Sequence, residues 1–291
     1  MTSYDNTETA STSTGIDLDT LRVAVLGAGK MGGILVQAFV RSGLFPAERI
    51  VATVAHEDRA ASLAEQFGVA VTTDNLQAAD GADVILLGVK PRQIGALVRG
   101  IAPALDPSKL VISFAASVKT TAIEEAAGGR VPFHKIPVIR AMPNTPAKLG
   151  AGMTAIARGS YVTDEQMALA ERIFSTVGRT VVIDERHMDA VTGLSGSGPA
   201  FMYIILEALA EAGVNVGLPR DVATLLAAQT TYGAAKMVLE TGSHPALLKD
   251  EVTTPGGCTV DGILELEEGG LRVTLIKAVK RATERARQLA G

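Results

Sequence analysis

From residue 21 onward the pattern of apolar and polar positions changes period again and again. Short runs of Val, Ile and Leu alternate with Ala-rich stretches whose apolar positions recur every three or four residues. The runs at 22–26, 49–54, 69–72, 84–89, 110–114 and 138–141 are predicted strands. Their near-continuous apolarity is that of strands buried on both faces, which predicts a parallel sheet with helices on either side, an α/β architecture. Two later runs, 153–157 and 180–183, are predicted to extend or close that sheet. After Asp184 the pattern changes. Residues 186–240 and 262–290 contain almost no β-branched runs and many Ala, Leu and Glu at helical spacing, so the C-terminal part reads as all helical.

The C-terminal helices are apolar over wide arcs. Phe201, Ile204, Ile205, Leu206, Ala208 and Leu209 cover more than one face, as do Leu225, Leu226, Ala227 and Ala228. A helix buried on several sides needs partners, so a second copy of the chain is expected against this region. A compact monomeric helical domain is the alternative. No repeat of a solenoid is visible.

Composition narrows the function classes. A chain of 291 residues, 47% apolar, has the length of about two domains. With 27 Lys+Arg against 31 Asp+Glu, no Trp and 4% aromatics, it offers neither a basic field nor stacking rings for nucleic acid. The single Cys258 excludes an intrachain disulfide and points to a reducing compartment, the cytoplasm. Beside two glycines it reads as a small packing residue, with a thiolate nucleophile as the alternative. Residues 1–20 are rich in Ser and Thr, lack Lys and Arg, and read as a disordered tail rather than a targeting peptide. The longest apolar stretch, 199–206, stops at Glu207, well short of the roughly 20 residues of a membrane span. His56, His134, His187 and His244 are scattered without metal-ligand spacing, so no metal is expected. His244, beside Pro245, reads as a helix-start residue.

Two motifs carry chemistry. Gly27-Ala28-Gly29-Lys30-Met31-Gly32 follows the first strand and opens a helix with Met31, Leu35, Ala38 and Phe39 on its buried face. That context is the dinucleotide fingerprint of a Rossmann-type doubly wound sheet, with one glycine for the turn, one for approach to a pyrophosphate and one for helix packing. The second strand ends in Val54-Ala55-His56 rather than a carboxylate. His56 and Arg59 could face a 2′-phosphate, so NADP(H) is expected, with NAD(H) as an alternative because Glu57 and Asp58 could turn inward. Val89-Lys90-Pro91 and Met142-Pro143-Asn144-Thr145-Pro146 follow strands at the same sheet edge, where Lys90 could lie along the cofactor. The second motif is Thr254-Pro255-Gly256-Gly257-Cys258-Thr259. A helix starting near Thr259 would turn free amides toward this loop, forming a pocket for a small carboxylate flanked by two hydroxyls. An ordinary helix cap is the alternative.

From Leu21 to the C-terminus the chain resembles the pyrroline-5-carboxylate reductase family. The resemblance rests on Gly-Ala-Gly at 27–29, Val-Lys-Pro at 89–91, Asn-Thr-Pro at 144–146, and the stretch Ala-Val-Thr-Gly-Leu-Ser-Gly-Ser-Gly-Pro-Ala at 190–200. It also includes His244-Pro245, Leu248-Lys249-Asp250 and Pro-Gly-Gly-x-Thr at 255–259. It implies an NADP-binding Rossmann domain at 21–185 and a helical dimerisation and substrate domain at 186–291. It further implies homodimers, formed through the C-terminal helices, that assemble to a decamer. The implied reaction is NAD(P)H-dependent reduction of 1-pyrroline-5-carboxylate to L-proline.

By the same resemblance, Thr259 would bond the substrate's ring nitrogen, and the amides of Gly257, Cys258 and Thr259 would hold its carboxylate. Thr254 stands where the family commonly has Ser. Glu185 would border the substrate, and Asn75 and Ala116 would line the cofactor. Glu251 replaces an amide side chain of some relatives, leaving that contact to the cofactor open. A protonated imine is already electrophilic, so an orienting hydroxyl suffices without a strong acid. The rivals are a Rossmann hydroxy-acid dehydrogenase, which would rely on a lysine such as Lys236 or Lys249, and a non-catalytic NADP-binding sensor. Glu265, Glu267 and Glu268 read as a solvated helix end, and Lys277, Lys280, Arg281, Arg285 and Arg287 as a solvated face.

Overall fold

Every predicted strand forms, with ends shifted by no more than two residues. They are β1 (Val23–Leu26), β2 (Ile50–Thr53), β3 (Ala70–Thr72), β4 (Val84–Leu87), β5 (Leu110–Ser113), β6 (Val138–Met142), β7 (Gly152–Arg158) and β8 (Gly178–Val182). The structure, a computed structural model, describes residues 17–128 and 135–289, so His134 and most of the expected tail lie outside the described residues. The strands make one sheet in the order β3-β2-β1-β4-β5-β6-β7-β8. Only the β6–β7 pair is antiparallel, so the last two strands extend the sheet rather than close it.

Helices α1 (Lys30–Ser42), α2 (Glu57–Phe67), α3 (Asn75–Asp80), α4 (Pro91–Ile101), α5 (Thr120–Ala126) and α6 (Asp164–Ser175) cover the sheet. Alternation along single strands shows the two faces. Val23 and Val25 join a core with Leu35, Phe39, Ile139 and Phe174, while Ala24 and Leu26 join another with Ile85, Ile94, Val98 and Val138. Both sets are closed to solvent, which is why the strand sequences are apolar without a break.

The chain continues through α7 (Met188–Val191), a π-turn at Thr192–Gly196, α8 (Gly198–Asn215), α9 (Arg220–Thr241), α10 (Pro245–Glu251), α11 (Cys258–Glu268) and α12 (Leu271–Leu289). The described residues fall into two compact units, 198–280 and a sheet unit of 17–197 with 281–289. The sheet unit thus runs on to Ser197, and within it Glu185, Asp189 and Ser195 bond to Thr120, Arg140 and Asn144. Residues 17–20 depart from expectation. They form a turn with Leu18 buried in the first core, so the end of the expected tail is anchored by apolar burial.

Within the helical unit α8 and α9 approach closely where Gly213 meets Ala223. The buried apolar residues of those helices are small, Ala210, Ala223 and Ala227, while Ile204 is 66% exposed and Leu225 68%. Glu267 pairs with Arg272 across the Gly269-Gly270 break, and the basic residues of α12 are exposed, as expected of solvated surfaces. Among the described residues no helix is long and apolar enough to cross a membrane, and no cluster of His, Cys, Asp or Glu could hold a metal.

Candidate functional site

The glycine turn after β1 is built from the tip of β2. Gly27 has φ +96°, a conformation suited to glycine, and its amide donates to Thr53 Oγ1 at 2.9 Å. The Thr53 hydroxyl donates in turn to Asn75 Oδ1 at 2.6 Å, and its carbonyl accepts from Ala28 at 2.7 Å. A Cβ on Gly32 would collide with the Gly27 carbonyl oxygen, so α1 can lie this close only with glycine there. The N-cap of α1 is Gly29, which supplies no side-chain cap, and a Cβ on Gly29 would meet open space. The leading amides of Lys30, Met31 and Gly32 lack carbonyl partners within the helix and carry its positive end, an arrangement that fits an anionic diphosphate.

Other expected cofactor residues gather at the same carboxyl edge of the parallel strands. His56 is the exposed N-cap of α2, followed by Glu57 and Asp58 in the first turn, where carboxylates complement the helix dipole; Arg59 is exposed. Lys90 is the N-cap of α4 and Pro91 its first residue, with the Lys90 amide donating to Gln93 Oε1 at 3.3 Å. Val89 packs on the turn, and a Cβ on Gly27 would lie 2.8 Å from its Cγ1. Ala116 is half-buried in the loop after β5, against a small core of Met142, Ala155 and Met188. Next to it, buried Ser117 has φ +65° and its hydroxyl donates to the Ala286 carbonyl at 2.8 Å.

Glu185 is committed to protein groups. Its Oε1 accepts from the Thr120 amide at 2.8 Å and lies 3.7 Å from Arg140 Nη1, while Oε2 accepts from the Thr120 hydroxyl at 2.9 Å. Asn144 accepts from the Met153 amide at 2.9 Å and donates to the Ser195 carbonyl at 3.2 Å, holding the π-turn.

In the helical unit the 254–257 turn leads into a helix as the sequence suggested, one residue early. Helix α11 starts at Cys258 with Gly257 as N-cap and no side-chain cap. The Gly257 amide donates to the Thr254 carbonyl at 2.9 Å, and a Cβ on Gly257 would lie 2.5 Å from Thr254 Oγ1, so glycine permits the tight turn. Thr254, Cys258 and Thr259 are exposed, which removes the packing role expected for the thiol in this chain by itself. His244 caps α10 as expected, its Nδ1 accepting from the Ala246 amide at 3.2 Å.

Comparisons with known proteins bear on the family and the fold. A pyrroline-5-carboxylate reductase from Glycine max is 42% identical over 274 residues, 94% of this chain and 98% of that protein. The chain belongs to the pyrroline-5-carboxylate reductase family. The family model described as pyrroline-5-carboxylate reductase dimerisation matches residues 185–289, and one described as NADP oxidoreductase coenzyme F420-dependent matches 22–117. The solved pyrroline-5-carboxylate reductase of Coxiella burnetii is 38% identical with a TM-score of 0.86, covering 94% of this chain and all of that one (100%). The pyrroline carboxylate reductase of Plasmodium falciparum, solved with NADP bound, is 28% identical with a TM-score of 0.84 over 94% and 100% of the two chains. The family's dimerisation segment begins at Glu185, inside the sheet unit.

Sequence reasoning missed Thr53, Gly88, Ser117, Arg140 and Asp189. Arg140 had a signal, being a polar residue inside an otherwise apolar strand, and Thr53 a weaker one as the polar end of another. Gly88, where a Cβ would lie 2.6 Å from the Gly27 carbonyl oxygen and 2.7 Å from the Phe114 ring, had none beyond its place after a strand.

Proposed function

We propose that the chain reduces 1-pyrroline-5-carboxylate to L-proline with NADPH as hydride donor. Family membership at about 40% identity over nearly the whole chain supports the reaction. The structural observation that carries it is the uncapped start of α11 behind a Pro-Gly-Gly turn, a second anion site besides the cofactor turn. The amides of Cys258 and Thr259 grip the substrate carboxylate, with Gly257 shaping the turn and Thr254 buttressing it. The Thr259 hydroxyl orients the ring nitrogen so that the imine carbon presents one face.

When bound, the dihydronicotinamide supplies the hydride that the imine carbon accepts. The amides of Lys30, Met31 and Gly32, with the Gly27-Ala28-Gly29 turn, bind the diphosphate, and Lys90 adds a cation at that edge. His56 and Arg59 select the 2′-phosphate, favouring NADPH over NADH. Asn75, held by Thr53, and Ala116 border the cofactor. Glu185 supports the substrate side indirectly, through Thr120 and Arg140. The hydroxy-acid dehydrogenase reading needs a catalytic lysine in the helical unit, but Lys249 is paired with Asp250 at 2.5 Å.

Two copies pair through the exposed apolar faces of the helical unit, and five such pairs make the decamer that the family resemblance implies. The exposed thiol of Cys258 suits a reducing cytoplasm. The test is proline formation and NADPH oxidation by purified protein given 1-pyrroline-5-carboxylate, repeated with NADH. Turnover favouring NADPH is expected. Tight NADPH binding with no turnover would favour the sensor instead. A solution mass ten times that of the 30.1 kDa chain is expected for the assembly.

A further inference from the structure

Arg140 is a cation on a strand face that is otherwise apolar. It is 2% exposed on β6, flanked by Val138 of one core cluster and Met142 of another. Its Nη1 lies 3.7 Å from Glu185 Oε1 and its Nη2 3.1 Å from Asp189 Oδ1, while its Nε is buried without a hydrogen-bond partner. Such a group is a poor source of stability, because removing a guanidinium from water costs about as much as two partly exposed carboxylates return. Its geometry has another consequence. Glu185 has both oxygens on Thr120, the first residue of α5, and Thr120 ends the loop that holds Ala116 and the left-handed Ser117 at the carboxyl end of β5. The other end of that loop is the strand beside Arg140, since Ser113 pairs with Arg140 across β5 and β6.

We propose that Arg140 is a positioning residue, which fixes Glu185 and Asp189 and through the Glu185–Thr120 clamp sets the loop 115–119 for hydride transfer. This rests on the reductase reading above. A strained, buried Ser117 needs anchors on both sides to persist. Its hydroxyl on Ala286 is one, and the clamp is the other. The diphosphate grip at Gly27–Gly32 shares none of these bonds and the loop meets the cofactor only through the small side chain of Ala116, so loosening it costs catalytic geometry more than cofactor affinity.

The test compares the intact protein with Arg140→Met, which keeps most of the volume and drops the charge. Three quantities are read: NADPH affinity, kcat with its isotope effect using deuterated NADPH, and amide exchange in the segment 114–124. The proposal expects faster exchange there. It also expects kcat lower by at least about tenfold with a larger isotope effect, and NADPH affinity within about threefold of the intact protein. Unchanged exchange and kcat would overturn it, as would a parallel loss of affinity and kcat. If Arg140→Met does not fold, Glu185→Gln must give the same pattern in weaker form, and its absence overturns the proposal. If the intact protein has no turnover, the reductase reading fails, and the exchange of 114–124 alone decides the clamp.

Discussion

Leu35, Ile85 and Phe174 in the sheet unit are closed to solvent by this one chain, whereas in the helical unit Ile204, Leu225 and Tyr232 are at least 60% exposed. Both sets are large apolar or aromatic side chains, and the surroundings differ. The sheet unit completes its cores from its own sequence, with helices on both faces of β1, β4 and β5. The helical unit buries alanines and leaves its large apolar side chains outward, so its stability has to come from another surface. Each unit carries one uncapped helix start proposed as an anion site, the turn before α1 and the turn before α11.

The largest expected effect separates the two units outright. Replacing Ile204 and Leu225 together by Glu should split the dimer, seen as a fall in sedimentation coefficient. It should lower turnover by more than about a hundredfold while NADPH affinity stays within a few-fold, since burying two charges opposes association. If the double variant stays dimeric and active, those faces are not the interface. Gly32→Val should act on the sheet unit instead. The added side chain must push α1 off the Gly27 carbonyl, so NADPH affinity should fall at least about tenfold, with stability lower by about 1–3 kcal/mol, read by calorimetry.

Asn144→Ala tests the stretch that links the π-turn to the sheet. It removes bonds to Met153 and Ser195, and chemical denaturation should give a loss of about 1–2 kcal/mol. The smallest effect is His56→Ala, which should raise the KM for NADPH a few-fold and leave that for NADH unchanged, since an exposed charge contact contributes about 0–1 kcal/mol.

The sheet and the helical unit were legible in the sequence because a doubly covered parallel strand has no polar face and an uncovered helix has too many apolar ones. Both glycine motifs were legible because they lie within a few residues of a helix start. Relations between distant segments were not. Thr53 reads as the polar end of a strand until Gly27 and Asn75 meet on its hydroxyl, and nothing local places Glu185 against Thr120, 65 positions earlier. For the same reason the bonds that tie the helical residues 185–197 to Arg140 and Asn144 were not legible.

The central claim is that the turn before α11 holds the substrate while the turn before α1 holds the cofactor. Thr259→Ala measures it most directly, comparing NADPH oxidation driven by 1-pyrroline-5-carboxylate and NADPH binding in the variant and the intact protein. The account predicts a turnover loss on the order of tenfold to a thousandfold with cofactor binding unchanged. Full turnover in the variant would contradict it.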